Sequence, residues 1–245
     1  MQERYLGDVH DYIKFALLRH LHKALKIRIG VNWYLTDPEN NGDGRIRGFL
    51  ERPPEWECLD KDLFDKLRPF REPTYRTLEN FEQDEILPKN TLYYKCKVST
   101  KDDRTKWHEH AVSALSQAQL IFLDQDNGFE VMRMNGKTHK YAIYSEAVEY
   151  YQRGKIVAGI QFAGRRNPKA LGERIKCELA RRTSCSEEVP VLQAHVTPNI
   201  LFVTICPNKR IEEVSTALKS FAEKSPFFKW DREMKKDIKR VEFIP

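Results

Sequence analysis

The run Asp124-Gln125-Asp126-Asn127-Gly128 puts two carboxylates and two carboxamides within four residues. Such groups accept hydrogen bonds from amines and bind hard cations through oxygen. Leu120-Ile121-Phe122-Leu123 runs straight into it and reads as a short strand, apolar on both faces. The acidic turn then sits at that strand's C-terminal end, where ligands collect in an open α/β sheet. The plain alternative is a polar strand-to-helix connection, since Asp, Asn and Gly are ordinary turn formers. Asp8, Asp11 and Lys14 follow one another at a spacing of three, so they drift slowly round one helix surface. They read either as a cap with a local ion pair or as a polar face at the mouth of a site. Asp37 and Asp43 add carboxylates in the most loop-like stretch, 36–44. There Gly42 and Gly44 would let backbone approach a ligand closely.

These residues need elements to hold them. Ile13, Leu17, Leu21 and Leu25 recur every four residues and predict a helix over 8–26, with Asp8 as its N-cap. A strand is expected at 27–35, feeding the 36–44 loop. Residues 45–110, broken by Pro53-Pro54, are expected to form an insertion or lid containing short helices and a strand near 92–98. A helix over 107–118 leads into the strand at 120–123, and another over 141–153 ends at Gly154 before a buried strand at 156–162. This strand–helix–strand run is a βαβ unit. A basic helix at 170–182 precedes an antiparallel pair at 191–197 and 200–206. A helix near 211–221 leads to a basic tail, 225–245, with Trp230 and an apolar end that would suit a protein partner or a second copy of the chain. The expected fold is a single α/β domain over 1–245: a Rossmann-like, mostly parallel sheet with flanking helices and a C-terminal antiparallel strand pair.

Composition narrows the class. Of 245 residues, 40% are hydrophobic and 32% charged, which supports a packed core under a charged surface. No run approaches the roughly 18 apolar residues of a membrane span, and no signal peptide is evident, so a cytoplasmic protein is expected. The five cysteines are scattered without a Cys-x-x-Cys pair, against a disulfide framework or zinc site. His20/His22 and His108/His110 are each two apart, so on a helix they point to different sides. The net charge of +6 permits nucleic-acid binding, with Arg165, Arg166 and Lys169 heading one basic cluster and residues 229–240 another.

The order of these features is Gly-Asp then Asp11-Tyr12-Ile13-Lys14, a strand, Gly42-Asp43-Gly44, and a strand ending in Asp124-Gln125-Asp126-Asn127. It resembles the S-adenosylmethionine-dependent methyltransferase superfamily, and within it the bacterial ribosomal-RNA adenine-N6 methyltransferases. The resemblance implies a cofactor site at Asp37, Asn41, Gly42, Asp43 and Gly44. It implies an amine-gripping site at Asp124, Asp126 and Asn127, with Lys14 as the lysine of the opening helix. Methyl transfer from S-adenosylmethionine to a base amine would then be catalysis by positioning, with Phe129 stacking on an extruded base. Gln125, Asp126 and Asn127 stand where that motif has two prolines and an aromatic residue. Two further readings therefore remain: a Mg²⁺-dependent nuclease using Asp124 and Asp126 as metal ligands, and a catalytically inactive binding subunit.

Overall fold

In the computed structural model, which describes residues 1–39, 46–98, 103–184, 191–231 and 236–244, Asp8 begins the first helix, α1 (Val9–Leu25). Its Oδ1 accepts hydrogen bonds from the backbone N–H of His10 at 2.9 Å and of Asp11 at 3.0 Å. Two of the donors that a helix start leaves open are thereby satisfied. Ile13, Leu17 and Leu21 are buried, and Lys26 ends the helix in the left-handed conformation. The strand β1 (Ile29–Asn32) follows. It is shorter than the apolar stretch 27–35 because Tyr34 takes a φ of +45° and leaves the ladder. Leu35 rejoins it only through an isolated bridge to Lys97.

After β1 come the short helices α2 (Pro53–Trp56), α3 (Lys61–Lys66) and α4 (Leu78–Gln83), then β2 (Leu92–Tyr94). Next are α5 (Arg104–Ala114), β3 (Leu120–Leu123), α6 (Tyr144–Gln152), β4 (Ile156–Phe162) and α7 (Pro168–Thr183). The chain ends with β5 (Val191–Ala194), β6 (Ile200–Ile205), α8 (Ile211–Glu223), β7 (Phe227–Asp231), β8 (Lys236–Lys239) and β9 (Val241–Ile244). One seven-stranded sheet has the order β2-β1-β3-β4-β6-β5-β9, and β7 and β8 form a separate hairpin. β2, β1, β3 and β4 pair in parallel. β4–β6, β6–β5 and β5–β9 pair antiparallel. The sheet is therefore mixed, which corrects the expectation of a mostly parallel one. Two of the three antiparallel pairings come from β6, which runs against both neighbours, and the third from the tail, where Val241–Ile244 adds an edge strand to β5.

Side chains alternate across the sheet and divide the core in two. Leu120 and Phe122 join one cluster with α1, α3, α4 and α8; Ile121 and Leu123 join the other with α5, α6 and α7. Helices thus cover both faces, as parallel strands require. The stretch 45–110 supplies β2 and buries Trp56, Leu63, Phe64, Phe70 and Phe81 in the same cluster as α1. Among the described residues no helix is long and apolar enough to cross a membrane. Cys58, Cys96, Cys177 and Cys206 are free thiols.

Candidate functional site

The turn after β3 is fixed in place rather than merely connecting two elements. Asp124 continues the parallel ladder, its N–H donating to the Asn32 carbonyl at 2.9 Å. Gln125 reaches sideways and donates Nε2–H to the Ile160 carbonyl of β4 at 2.8 Å. Asn127 N–H donates to the Lys140 carbonyl at 2.9 Å. Gly128 has a φ of +99°, and a Cβ there would lie within 2.5 Å of the Gln161 side chain. That close passage lets Gln161 Oε1 accept from the Phe129 N–H at 3.0 Å.

The start of α1 meets this turn. Lys14 Nζ sits between Asp11 Oδ1 at 2.6 Å and Asp124 Oδ1 at 2.8 Å. All three side chains are buried, Asp11 and Asp124 to 1% exposure and Lys14 to 5%. Asp11 Oδ2 also accepts the Gly7 N–H at 3.1 Å. Asp124 Oδ2 and Gln125 Oε1 are buried without a hydrogen-bond partner. His10 bridges the helix start to the β5–β6 turn: Nε2 donates to the Pro198 carbonyl at 2.9 Å, and Nδ1 lies 3.6 Å from Asp8 Oδ2. Asp126 Oδ1 pairs with the Met1 ammonium at 2.6 Å, and its Oδ2 accepts from Thr36 Oγ1 at 3.1 Å. Lys140 Nζ stands 3.9 Å from the same Oδ2 and 2.6 Å from Glu39 Oε1.

Together these groups line a cleft of about 660 Å³ at the C-terminal edge of β3 and β4, walled by Ile160, Phe162 and Pro198. That size suits a cofactor or small ligand. Burial raises the Asp11 carboxyl to about 7, outweighing Lys14, and the nearby Asp8 and Asp124 push the same way. Burial alone would lower Lys14, but Asp11 and Asp124 overcome it and hold the ammonium charged. Burial likewise opposes the charged form of His10, yet Asp8 and the Pro198 carbonyl raise its pKa. Asp8 is lowered despite burial, by His10, Lys14 and the Asp11 backbone N–H.

Of the residues expected from the sequence, Lys14, Asp124, Asp126 and Asn127 all line this cleft. Asp37 does not; it is exposed and paired with Lys97. Asn41, Gly42, Asp43 and Gly44 lie outside the described residues. Phe129 is a correction. Its ring is 2% exposed and stacks on Tyr144 at 5.5 Å with planes 10° apart. It also lies where a Cβ on Gly159 would approach to 2.9 Å. It is a core side chain and cannot stack on a base. Arg165, Arg166 and Lys169 are exposed just beyond β4, with Arg166 donating to the Phe162 and Ala163 carbonyls. Asp124 and Asp126, the metal ligands of the nuclease reading, each pair with a cation, Lys14 and the Met1 ammonium. Among the described residues no three His, Cys, Asp or Glu side chains converge as metal ligands. His10, Thr36 and Lys140 escaped the sequence reading. Only His10 carried a signal, its place between Asp8 and Asp11 on the helix's first turn.

No protein-family model matches this chain, and no curated protein resembles it at a significant level.

Proposed function

We propose that this chain is a nucleic-acid-directed enzyme with a Rossmann-like, methyltransferase-like fold, transferring a methyl group from S-adenosylmethionine to a base amine. The observation that carries the reading is Asp124. It is a buried carboxylate lining a cofactor-sized cleft, with one oxygen held by Lys14 and the other without a partner. An acceptor held in this state suits an incoming N–H and costs free energy until it receives one. The sheet supports the same reading. It is parallel over β2, β1, β3 and β4 and covered by helices on both faces, as a Rossmann-like fold requires.

Glu39 and Lys140 line the same cleft as an ion pair at 2.6 Å, and the ammonium and carboxylate of the cofactor's amino-acid end would exchange into that pair. S-adenosylmethionine would supply the methyl group. This chain's own residues would bind and orient. Asp124 Oδ2 and Gln125 Oε1 would accept the two N–H groups of the target amine. Lys14 would keep the Asp124 carboxylate from rotating, and the bond from Gln125 Nε2 to β4 would fix its amide. The amine sheds one proton as its new N–C bond forms, and Asp124 would receive it. Little else is required, because positioning accounts for most of such a rate.

Calorimetry on the full chain tests this first: S-adenosylmethionine should bind in the micromolar range. Asp124→Asn should keep that affinity within about threefold and lower methyl incorporation into RNA or DNA by about 10²-fold or more, the scale for losing a preorganised polar contact at a reacting centre. A folded protein giving no heat with millimolar S-adenosylmethionine would overturn the proposal.

A further inference from the structure

A second cleft, of about 850 Å³, opens at the other end of α1. Lys23, four turns of sequence away from the catalytic cleft's helix start, is about 14 Å from Lys14 along the axis at 1.5 Å per residue. Both α1 and α8 end here, at Lys26 and Lys224. The walls carry six cations, Arg19, Lys23, Lys26, Lys66, Lys89 and Lys224, against two carboxylates, Asp60 and Glu85. Arg19 is held by Asp60 and Asp62, each at 2.7 Å. Lys66 pairs with Asp62 at 3.4 Å and Lys89 with Glu85 at 3.7 Å. Lys23, Lys26 and Lys224 are exposed and form no ion pair among the described residues.

Helix ends explain part of this excess. Cations favour helix C-termini, but each terminus is worth only about half a negative charge. Two termini offset about one of the three unpaired lysines, so a positive surplus remains. The buried side of the groove registers it: His20 is pushed down first by burial and then by Lys224 and Lys23. The basic cluster at 165–182 is compensated in part. Arg181 and Arg182 are both tied to Glu178, and Arg166 is spent on backbone carbonyls.

We propose that this groove binds the phosphate backbone of a nucleic acid through Lys23, Lys26 and Lys224. The identity of the polyanion rests on the nucleic-acid-directed reading of the first cleft; the groove itself does not. Three phosphate contacts predict that log K falls with log[salt] at a slope of about −2.7, roughly a fortyfold loss between 50 and 200 mM.

The test is fluorescence anisotropy of the full chain with a fluorescein-labelled 20-base-pair DNA duplex. It compares the wild type, Lys23→Gln/Lys26→Gln/Lys224→Gln, and Arg165→Gln/Lys169→Gln. The triple variant should weaken binding at least tenfold at 50 mM salt and flatten the slope by about 2.7. The double variant should stay within about threefold of the wild type. The proposal is overturned if the triple variant binds within twofold of the wild type, or if the double variant accounts for the loss. It is also overturned if poly-glutamate displaces the duplex as well as unlabelled DNA does, which would assign the groove to an acidic protein. Calorimetry with S-adenosylmethionine on the same variants separates the two readings. Absent cofactor binding with a retained groove effect removes the methyltransferase and leaves the groove.

Discussion

Lys14→Met removes the cation that bridges two buried carboxylates while keeping a side chain of similar length. Asp11 and Asp124 lie 2.6 and 2.8 Å from the ammonium and are each 1% exposed. Breaking a buried ion pair by deleting one partner costs about 3–5 kcal/mol. That cost must depend on pH. Asp11 already stands at about 7 in the folded chain, against about 3.9 for an unfolded aspartate. The folded state therefore holds a proton that the unfolded state has lost, and stability falls as pH rises from about 4 through the folded value. Losing Lys14 raises that folded value further, because the two carboxylates then repel each other unscreened. Urea denaturation should show a loss of about 3–5 kcal/mol at pH 8 and less than half of it at pH 5, where a proton takes the place of the ammonium. Lys14→Met/Asp11→Leu/Asp124→Leu, which removes the charges together, should recover wild-type stability and lose the pH dependence. A loss under about 1 kcal/mol at pH 8, or an equal loss at both pH values, would refute the reasoning.

Asp8→Ala deletes an N-cap that accepts from two backbone N–H groups and should cost about 1–2 kcal/mol. It should also lower the His10 titration followed by NMR, because Asp8 raises it. In the wild type the raised His10 value means its contribution is complete below the unfolded pKa and disappears as pH rises through the folded one. A His10 resonance titrating identically in both proteins would show that the pair does not form. Gly159→Ala places a Cβ 2.9 Å from Phe129 Cζ and should cost about 1–3 kcal/mol by overpacking, read as a lower melting temperature. An unchanged melt would mean the ring is not seated there.

Much of the scaffold was legible because it follows local rules. The four-residue spacing of Ile13, Leu17 and Leu21 and the cap at Asp8 define α1, and the all-apolar 120–123 run defines β3. The cleft lies where the start of α1 meets the C-terminal end of β3. Chain-distant events were not legible. Nothing local says that Val241–Ile244 will pair with β5, or that Pro198 will offer its carbonyl to His10. Phe129 was misplaced for the same reason: its neighbour Gly159 is thirty residues away, and only the folded sheet reveals the gap that its ring fills. The basic groove was missed because Lys23 and Lys224 come from the ends of two helices that meet only in three dimensions.

The residues that stand where the resembled methyltransferases have prolines and an aromatic are firmly tied down. Proline stiffens a loop by fixing φ. Here Gln125 does comparable work through its bond to the Ile160 carbonyl, and Asp126 through Thr36, Lys140 and the Met1 ammonium. The missing prolines therefore do not imply a slack turn. A buried ion cluster is a poor stabiliser compared with apolar side chains of the same shape, so stability alone gives no physical reason to hold Asp11, Lys14 and Asp124 together. Orientation does. Two aspartates on one lysine leave Asp124 a single free oxygen beside the cleft, and whether that oxygen receives a ligand N–H decides between an enzyme and a binding subunit.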